Sequence, residues 1–130
     1  MKVIQVTCGI IIKDGKILAA QRSEKMKLSL KWEFPGGKLQ EGETEEECLK
    51  REIREELNIE IVIDYKLTPI RHDYPDVHIQ LIPFVAKYVS GTLQLHEHEQ
   101  ANWYTKNELL SLDWAPADIP ILNAFIHETQ

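Results

Sequence analysis

Three glutamates, Glu52, Glu55 and Glu56, stand in the stretch Arg51-Glu52-Ile53-Arg54-Glu55-Glu56-Leu57. At helical spacing they fall within an arc of about 100°. Leu49, Ile53 and Leu57 recur four apart beside them, so the carboxylates border the buried face rather than oppose it. Like charges three and four residues apart repel on a helix, and more so when partly desolvated. A hard divalent cation that prefers oxygen ligands, Mg²⁺ above all, removes the repulsion and supplies charge to hold polyphosphate. The competing reading is a solvated acidic helix balanced by Arg51 and Arg54.

The wider spacing decides between them. From Gly37 through Glu43 to Arg51-Glu52-Ile53-Arg54-Glu55-Glu56-Leu57-Asn58-Ile59, the chain resembles the Nudix box, G-x5-E-x7-R-E-U-x-E-E-x-G-U with U a bulky aliphatic residue. Asn58 stands where glycine is usual, a mild departure because asparagine tolerates the left-handed geometry that ends a helix. Trp32-Glu33-Phe34-Pro35-Gly36-Gly37-Lys38 and Trp114-Ala115-Pro116-Ala117-Asp118-Ile119-Pro120 extend the resemblance to the MutT-like branch, particularly bacterial CTP pyrophosphohydrolases and oxidised-dGTP diphosphatases.

That resemblance implies an α/β fold, an α/β/α sandwich with a mixed sheet. It also implies an Mg²⁺-dependent reaction, with Mn²⁺ able to substitute, that releases a nucleoside monophosphate and pyrophosphate. Carried over position by position, Glu52, Glu55 and Glu56 match metal-binding carboxylates and the Gly37 carbonyl a backbone ligand, with Glu52 first choice for activating water. Glu43 matches a box position that assists the metal shell, or is a surface residue of the loop. Arg51 organises carboxylates, with Glu47 and Glu55 in reach along the helix. Arg22 and Lys38 match phosphate contacts, or are ordinary solvated cations. In His96-Glu97-His98-Glu99, Glu97 best fits a further acidic ligand from a loop, the rival being a transition-metal site built on His96 and His98. Asp118 matches a substrate-binding position and also suits the N-cap of the last helix. As an ionised acceptor it would favour the exocyclic amine of cytosine, with guanine and its oxidised form also open. Nucleotide sugars and dinucleotide polyphosphates remain alternative substrates, and a non-catalytic nucleotide sensor is disfavoured by the intact acidic set.

The elements that must position these residues are legible in the periodicity. Val3–Lys13 and Lys16–Gln21 read as strands around an Asp14-Gly15 hairpin turn. A short run at Trp32-Glu33-Phe34 stops at Pro35-Gly36-Gly37. Thr44 and Glu47 form a capping box that opens a helix over 45–57. Alternation predicts strands at 59–63 and 77–88, the latter after a Tyr74-Pro75-Asp76 turn, with Pro83 marking an edge or a bulge. Thr105 and Glu108 repeat the capping spacing, and a last helix is predicted over 119–127.

A chain of 130 residues, 43% hydrophobic, suits a single globular domain spanning 1–130. The formal charge of −6 argues against polymeric nucleic acid as a partner. No apolar run is long enough for a membrane span and no secretory signal is evident, so the expected location is cytoplasmic, as a monomer or homodimer. Cys8 and Cys48 are read as small buried residues rather than a disulfide.

Overall fold

In a computed structural model, residues 2–128 are described. The predicted hairpin forms as β1 (Val3–Lys13) and β2 (Lys16–Gln21), with Asp14 and Gly15 both at positive φ as its turn requires. β3 (Trp32–Glu33) and β4 (Gly36–Lys38) follow, then α1 (Glu45–Leu57), β5 (Glu60–Lys66), β6 (Ile70–Tyr74), β7 (Val77–Ser90) and β8 (Gln100–Tyr104). The chain closes with a short α2 (Lys106–Leu109), a 3₁₀ turn (Pro116–Asp118) and α3 (Ile119–Glu128). β4, β6 and β8 have no counterpart in the sequence reading, which treats Pro35-Gly36-Gly37 as a stop.

The eight strands make one mixed sheet along the path β3-β2-β1-β7-β5, with β4 on β1, β6 on β7 and β8 on β2. Its central pair, β1 and β7, is parallel from Val3↔His78 to Ile12↔Lys87, and the other pairings are antiparallel. Alternation along β1 sends Ile11 to one face, against Leu49, Ile53 and Leu57 of α1. Cys8 and Ile10 go to the other, against Ile121, Leu122 and Phe125 of α3 and the Trp32, Phe34 and Trp114 rings. The sheet is thus covered on both faces, the α/β/α arrangement expected.

The sequence reading placed Pro83 on an edge or at a bulge, and the structure corrects it. Pro83 lies in β7, inside the sheet, opposite Cys8 of β1. On the far side of β7 the partner changes there from β6, last paired at Leu81, to β5, first paired at Phe84. The Pro83 carbonyl accepts from the Leu67 N–H at 2.9 Å, so the position lacking an N–H falls where one partner hands over to the next. Pro35 serves a similar handover on β1, accepting from the Gly9 N–H at 2.8 Å between β4, paired at Val6–Cys8, and β2, paired at Ile12–Lys13. The cleft described next is lined by Val6, Thr7 and Cys8 of β1 together with Gly36, Gly37 and Lys38 of β4.

Candidate active site

α1 is held at both ends by its own sequence. Thr44 Oγ1 accepts from the Glu47 N–H at 3.1 Å while Glu47 accepts from the Thr44 N–H at 2.8 Å. Asn58 closes the helix at φ 61° and donates from Nδ2 to the Thr92 carbonyl at 3.1 Å, so the residue replacing the usual glycine adopts the left-handed geometry and adds a tether of its own. These caps fix the rotation of the helix. Leu49, Ile53 and Leu57 are buried, and Glu52 and Glu56, one turn apart, border a cleft of about 520 Å³.

Glu52 and Glu56 from α1, Gly37 and Lys38 from β4, Arg22 after β2, Glu97 before β8 and Asp118 before α3 all line that one cleft. Seven of the sequence-derived site residues are therefore brought together from across the chain. Glu43, Arg51 and Glu55 are not among the residues that line it. Arg51 stands behind the wall as an organiser. Its guanidinium grips Glu43 at 2.8 and 3.0 Å, and donates to Glu52 at 2.9 Å, Glu55 at 3.2 Å and the Lys38 carbonyl at 3.3 Å. The expected contact with Glu47 is replaced by this one with Glu43, because Glu47 is occupied in the capping box. Glu43 is consequently no free surface residue. Two bonds from Arg51 and one from the Gln40 N–H pull its carboxyl down to about 2, and the same carboxylates raise the Arg51 pKa.

Glu56 is in the opposite condition. Its Oε2 is buried with no hydrogen-bond partner. Burial first, then the charges of Glu97 and Glu52, push its pKa up. An orphaned, desolvated carboxylate oxygen facing other carboxylates is the arrangement a divalent cation satisfies, and the all-oxygen donors suit a hard ion such as Mg²⁺ or Mn²⁺. Among the described residues no three acidic, histidine or cysteine side chains converge on one metal position. The Gly37 carbonyl accepts from Thr7 Oγ1 at 3.2 Å. A Cβ on Gly37 would lie 2.2 Å from Cδ of Glu52, so only glycine lets β4 pass this close to α1.

At the far end of the cleft Asp118 is 5% exposed. Its Oδ2 accepts from the Phe34 N–H at 2.9 Å instead of capping the last helix, which corrects the N-cap reading. The chain enters α3 through the 3₁₀ turn over Pro116–Asp118, so the geometry of an N-cap residue does not arise. Burial and the nearby charge of Glu33 hold the Asp118 pKa well above the usual carboxylate value. Phe34 stacks at 4.7 Å on Trp114, and Tyr74 Oη accepts from the Ala117 N–H at 3.1 Å, which makes this end of the cleft firm and largely apolar.

Glu33 is not singled out as a site residue from sequence, and His98 enters there only as half of a rival metal site with His96. Glu33 accepts from Arg22 Nη1 at 2.8 Å and lies 2.8 Å from His98 Nε2, joining β3 to the loop that carries Glu97. Arg22 also donates to the Lys27 carbonyl, so it is held in place by protein groups on the cleft wall. Lys38 is exposed at the rim. The His98 side chain is 5% exposed with Nδ1 unpartnered, whereas His96 is exposed, so the paired-histidine metal site is not formed. The available signal for Glu33 is a charged residue between two aromatics, Trp32 and Phe34, that are candidates for the core. Lys27 and Asp76 bridge the rim at 2.6 Å.

Residues 3–125 match the NUDIX domain. The chain belongs to the Nudix family. It is a Nudix hydrolase, 40% identical over 126 residues to the CTP pyrophosphohydrolase of Escherichia coli (strain K12), an alignment covering 97% of this chain and 93% of that one. It is also 40% identical over 85 residues to the 8-oxo-dGTP diphosphatase of Proteus vulgaris, covering 65% and 76% of the two chains. Among solved structures, the solution NMR structure of a MutT protein of the Nudix hydrolase family from methicillin-resistant Staphylococcus aureus 252 superposes with a TM-score of 0.77 at 45% identity, covering 98% of each chain. Nudix hydrolases use divalent metals, in keeping with the orphaned Glu56 oxygen of this one. Among the described residues no helix is long and apolar enough to cross a membrane.

Proposed function

We propose that this Nudix hydrolase is a nucleoside triphosphate pyrophosphohydrolase that converts a triphosphate and water into a nucleoside monophosphate and pyrophosphate, acting on dCTP, CTP or oxidised guanine nucleotides such as 8-oxo-dGTP. The observation that carries the reading is the polarity of the cleft. One end is a wall of carboxylates beside an orphaned Glu56 oxygen, and the other is a largely apolar slot that holds the buried acid Asp118. A polyphosphate carried with its cations suits the first, and a flat base suits the second.

Glu52, Glu55, Glu56, Glu97 and the Gly37 carbonyl would hold Mg²⁺, with Mn²⁺ able to replace it. The bound cation supplies Lewis-acid polarisation and neutralises charge on the phosphate oxygens. Glu52 accepts the proton of the attacking water, held in aim by Arg51, which is itself gripped by Glu43. Glu55, 57% exposed at its side chain and tied to Arg51, serves as a peripheral ligand. Arg22 and Lys38 meet the phosphates from the rim. The formal charge of −6 suits a small anion delivered with cations rather than polymeric nucleic acid. We assign the enzyme to the cytoplasm as a monomer or homodimer, states that fractionation and light scattering distinguish.

Asp118 reads the base, and its raised pKa changes how. The sequence reading took it as ionised and acceptor-only, favouring the amine of cytosine. With Oδ2 engaged by the Phe34 N–H, one oxygen remains for a ligand, and in the neutral acid that oxygen can donate. Asp118 therefore accepts from cytosine N4 when charged, and donates to a purine acceptor such as O6 when neutral. The test is a panel of normal, methylated and oxidised triphosphates, nucleotide sugars and dinucleotide polyphosphates with Mg²⁺, products resolved by chromatography. Pyrophosphate with a monophosphate from cytidine or oxidised guanine triphosphates is the expected result. Preferential cleavage of a nucleotide sugar or a dinucleotide would overturn it.

A further inference from the structure

Thr7 is fully buried, the one uncharged polar residue in the core beside Asp118 among the described residues. It sits in β1 directly opposite Gly37 of β4. A hydroxyl so placed must find a partner or weaken the fold. Its partner is the Gly37 carbonyl at 3.2 Å, with Cys48 Sγ 3.3 Å away. Cys48 in turn reaches the Lys38 carbonyl at 3.4 Å and the Gly37 carbonyl at 3.6 Å, and Arg51 Nη2 donates to the Lys38 carbonyl at 3.3 Å. Successive carbonyls of β4 are thus aimed by donors from β1 and α1, and the Gly37 backbone runs so close to the Glu52 carboxylate that a Cβ there would collide with it.

We propose that Thr7 is a positioning residue for the cation site. Its hydroxyl aims the Gly37 carbonyl and, through the contact between Gly37 and Glu52, sets the separation of the backbone and carboxylate ligands. This rests on the reading above that Gly37 and Glu52 hold a divalent cation. An apolar residue at position 7 would fill the same space in the core, so packing alone gives no reason for a hydroxyl there. The carbonyl has two lone pairs, and occupying one from a fixed direction orients the other. Loss of that constraint lets the peptide turn and loosens the ligand set, as the loss of an outer hydrogen bond to a ligand does in metal sites generally.

The test is Mn²⁺ binding followed by electron paramagnetic resonance, together with the Mg²⁺ concentration that gives half-maximal turnover. Thr7→Val keeps the shape and removes the hydroxyl, and is expected to weaken Mn²⁺ binding about tenfold, with the half-saturating Mg²⁺ rising by a similar factor. Thr7→Ser should stay within about twofold of the parent, since it keeps the donor. If Thr7→Val does not fold, Thr7→Ser and Thr7→Ala still differ only by the hydroxyl, and the same tenfold gap is expected between them. Equal Mn²⁺ affinity in hydroxyl-bearing and hydroxyl-free variants, or tighter binding without the hydroxyl, overturns the role of Thr7 and leaves the cation site intact. Failure of the parent protein to bind Mn²⁺ at all overturns the underlying reading instead.

Discussion

The two ends of the cleft treat charge in opposite ways. At the acidic end, Glu43, Glu52 and Glu55 share one guanidinium, and Glu56 is left facing Glu97 and Glu52 with a buried, unpartnered oxygen. At the base end, Asp118 stands among aromatic rings with one N–H for company. Crowded carboxylates gain from an added cation, because repulsion is relieved and the orphan is satisfied. A buried acid with Glu33 nearby gains from a proton, because desolvation and then that like charge penalise its own. The same side-chain chemistry is thereby set to bind metal at one end and to switch between donor and acceptor at the other, and environment alone makes the difference.

The largest effect should come from removing the charge that accepts the water's proton. Glu52→Gln is expected to lower kcat by about 10²–10⁴-fold while thermal unfolding shows a folded protein. Near-parental turnover would mean that the acidic end does not carry the chemistry. The added cation comes next. If the folded state alone binds Mg²⁺, a concentration one hundred times its Kd stabilises by about 2.7 kcal/mol, and the unfolding temperature rises by several degrees. An unchanged unfolding temperature at saturating Mg²⁺ would make the acidic end an ordinary solvated helix face.

At the base end, Asp118→Asn keeps an oxygen for the Phe34 N–H and turns an amide N–H₂ toward the ligand. The ratio of kcat/KM for dCTP to that for 8-oxo-dGTP should fall about tenfold, the equivalent of one hydrogen bond, with metal dependence unaltered. The same variant tests the pH sign. A folded-state pKa raised above the unfolded value gives stability that is present at acid pH and lost as pH rises through the folded value. The parent should therefore lose stability over that window, from the ordinary carboxylate range upward, and Asp118→Asn should not. A variant that loses stability but keeps every substrate ratio would make Asp118 structural only.

The smallest effect is expected at Glu43, whose folded pKa is lowered to about 2. Its contribution is present above the ordinary carboxylate value and is lost as pH falls through about 2. Glu43→Gln should flatten the acid limb of the stability curve by lowering stability in the neutral region, where the ionised carboxylate contributes, while leaving it nearly unchanged near pH 2. Thermal unfolding between those pH values checks it, and an identical acid limb would show that Arg51 does not need Glu43.

Much of this was legible in residue order. The box spacing, both caps of α1 and the stripe of Leu49, Ile53 and Leu57 are local patterns, so they placed Glu52 and Glu56 on the right border of the helix. The Asp14-Gly15 turn, the extents of β1, β2 and α1 and the start of β7 follow from equally short-range rules. Pro83 was misjudged because a missing N–H is normally harmless only at an edge. Its tolerance inside the sheet depends on where β6 ends and β5 begins, which no local pattern announces.

Sequence by itself determined the helix, its caps, the acidic stripe and the chemistry available to it, because helical contacts lie three and four residues apart and each is read from its neighbours. Tertiary structure decided which groups meet. Thr7 reaches Gly37 across 30 residues, Glu33 reaches His98 across 65, and Asp118 reaches the Phe34 N–H across 84. Those distances are closed by the register of one sheet that must bury both faces at once, and that condition belongs to the whole chain rather than to any segment. It left Glu56 without a partner, took Asp118 out of water and put a buried threonine behind the Gly37 carbonyl.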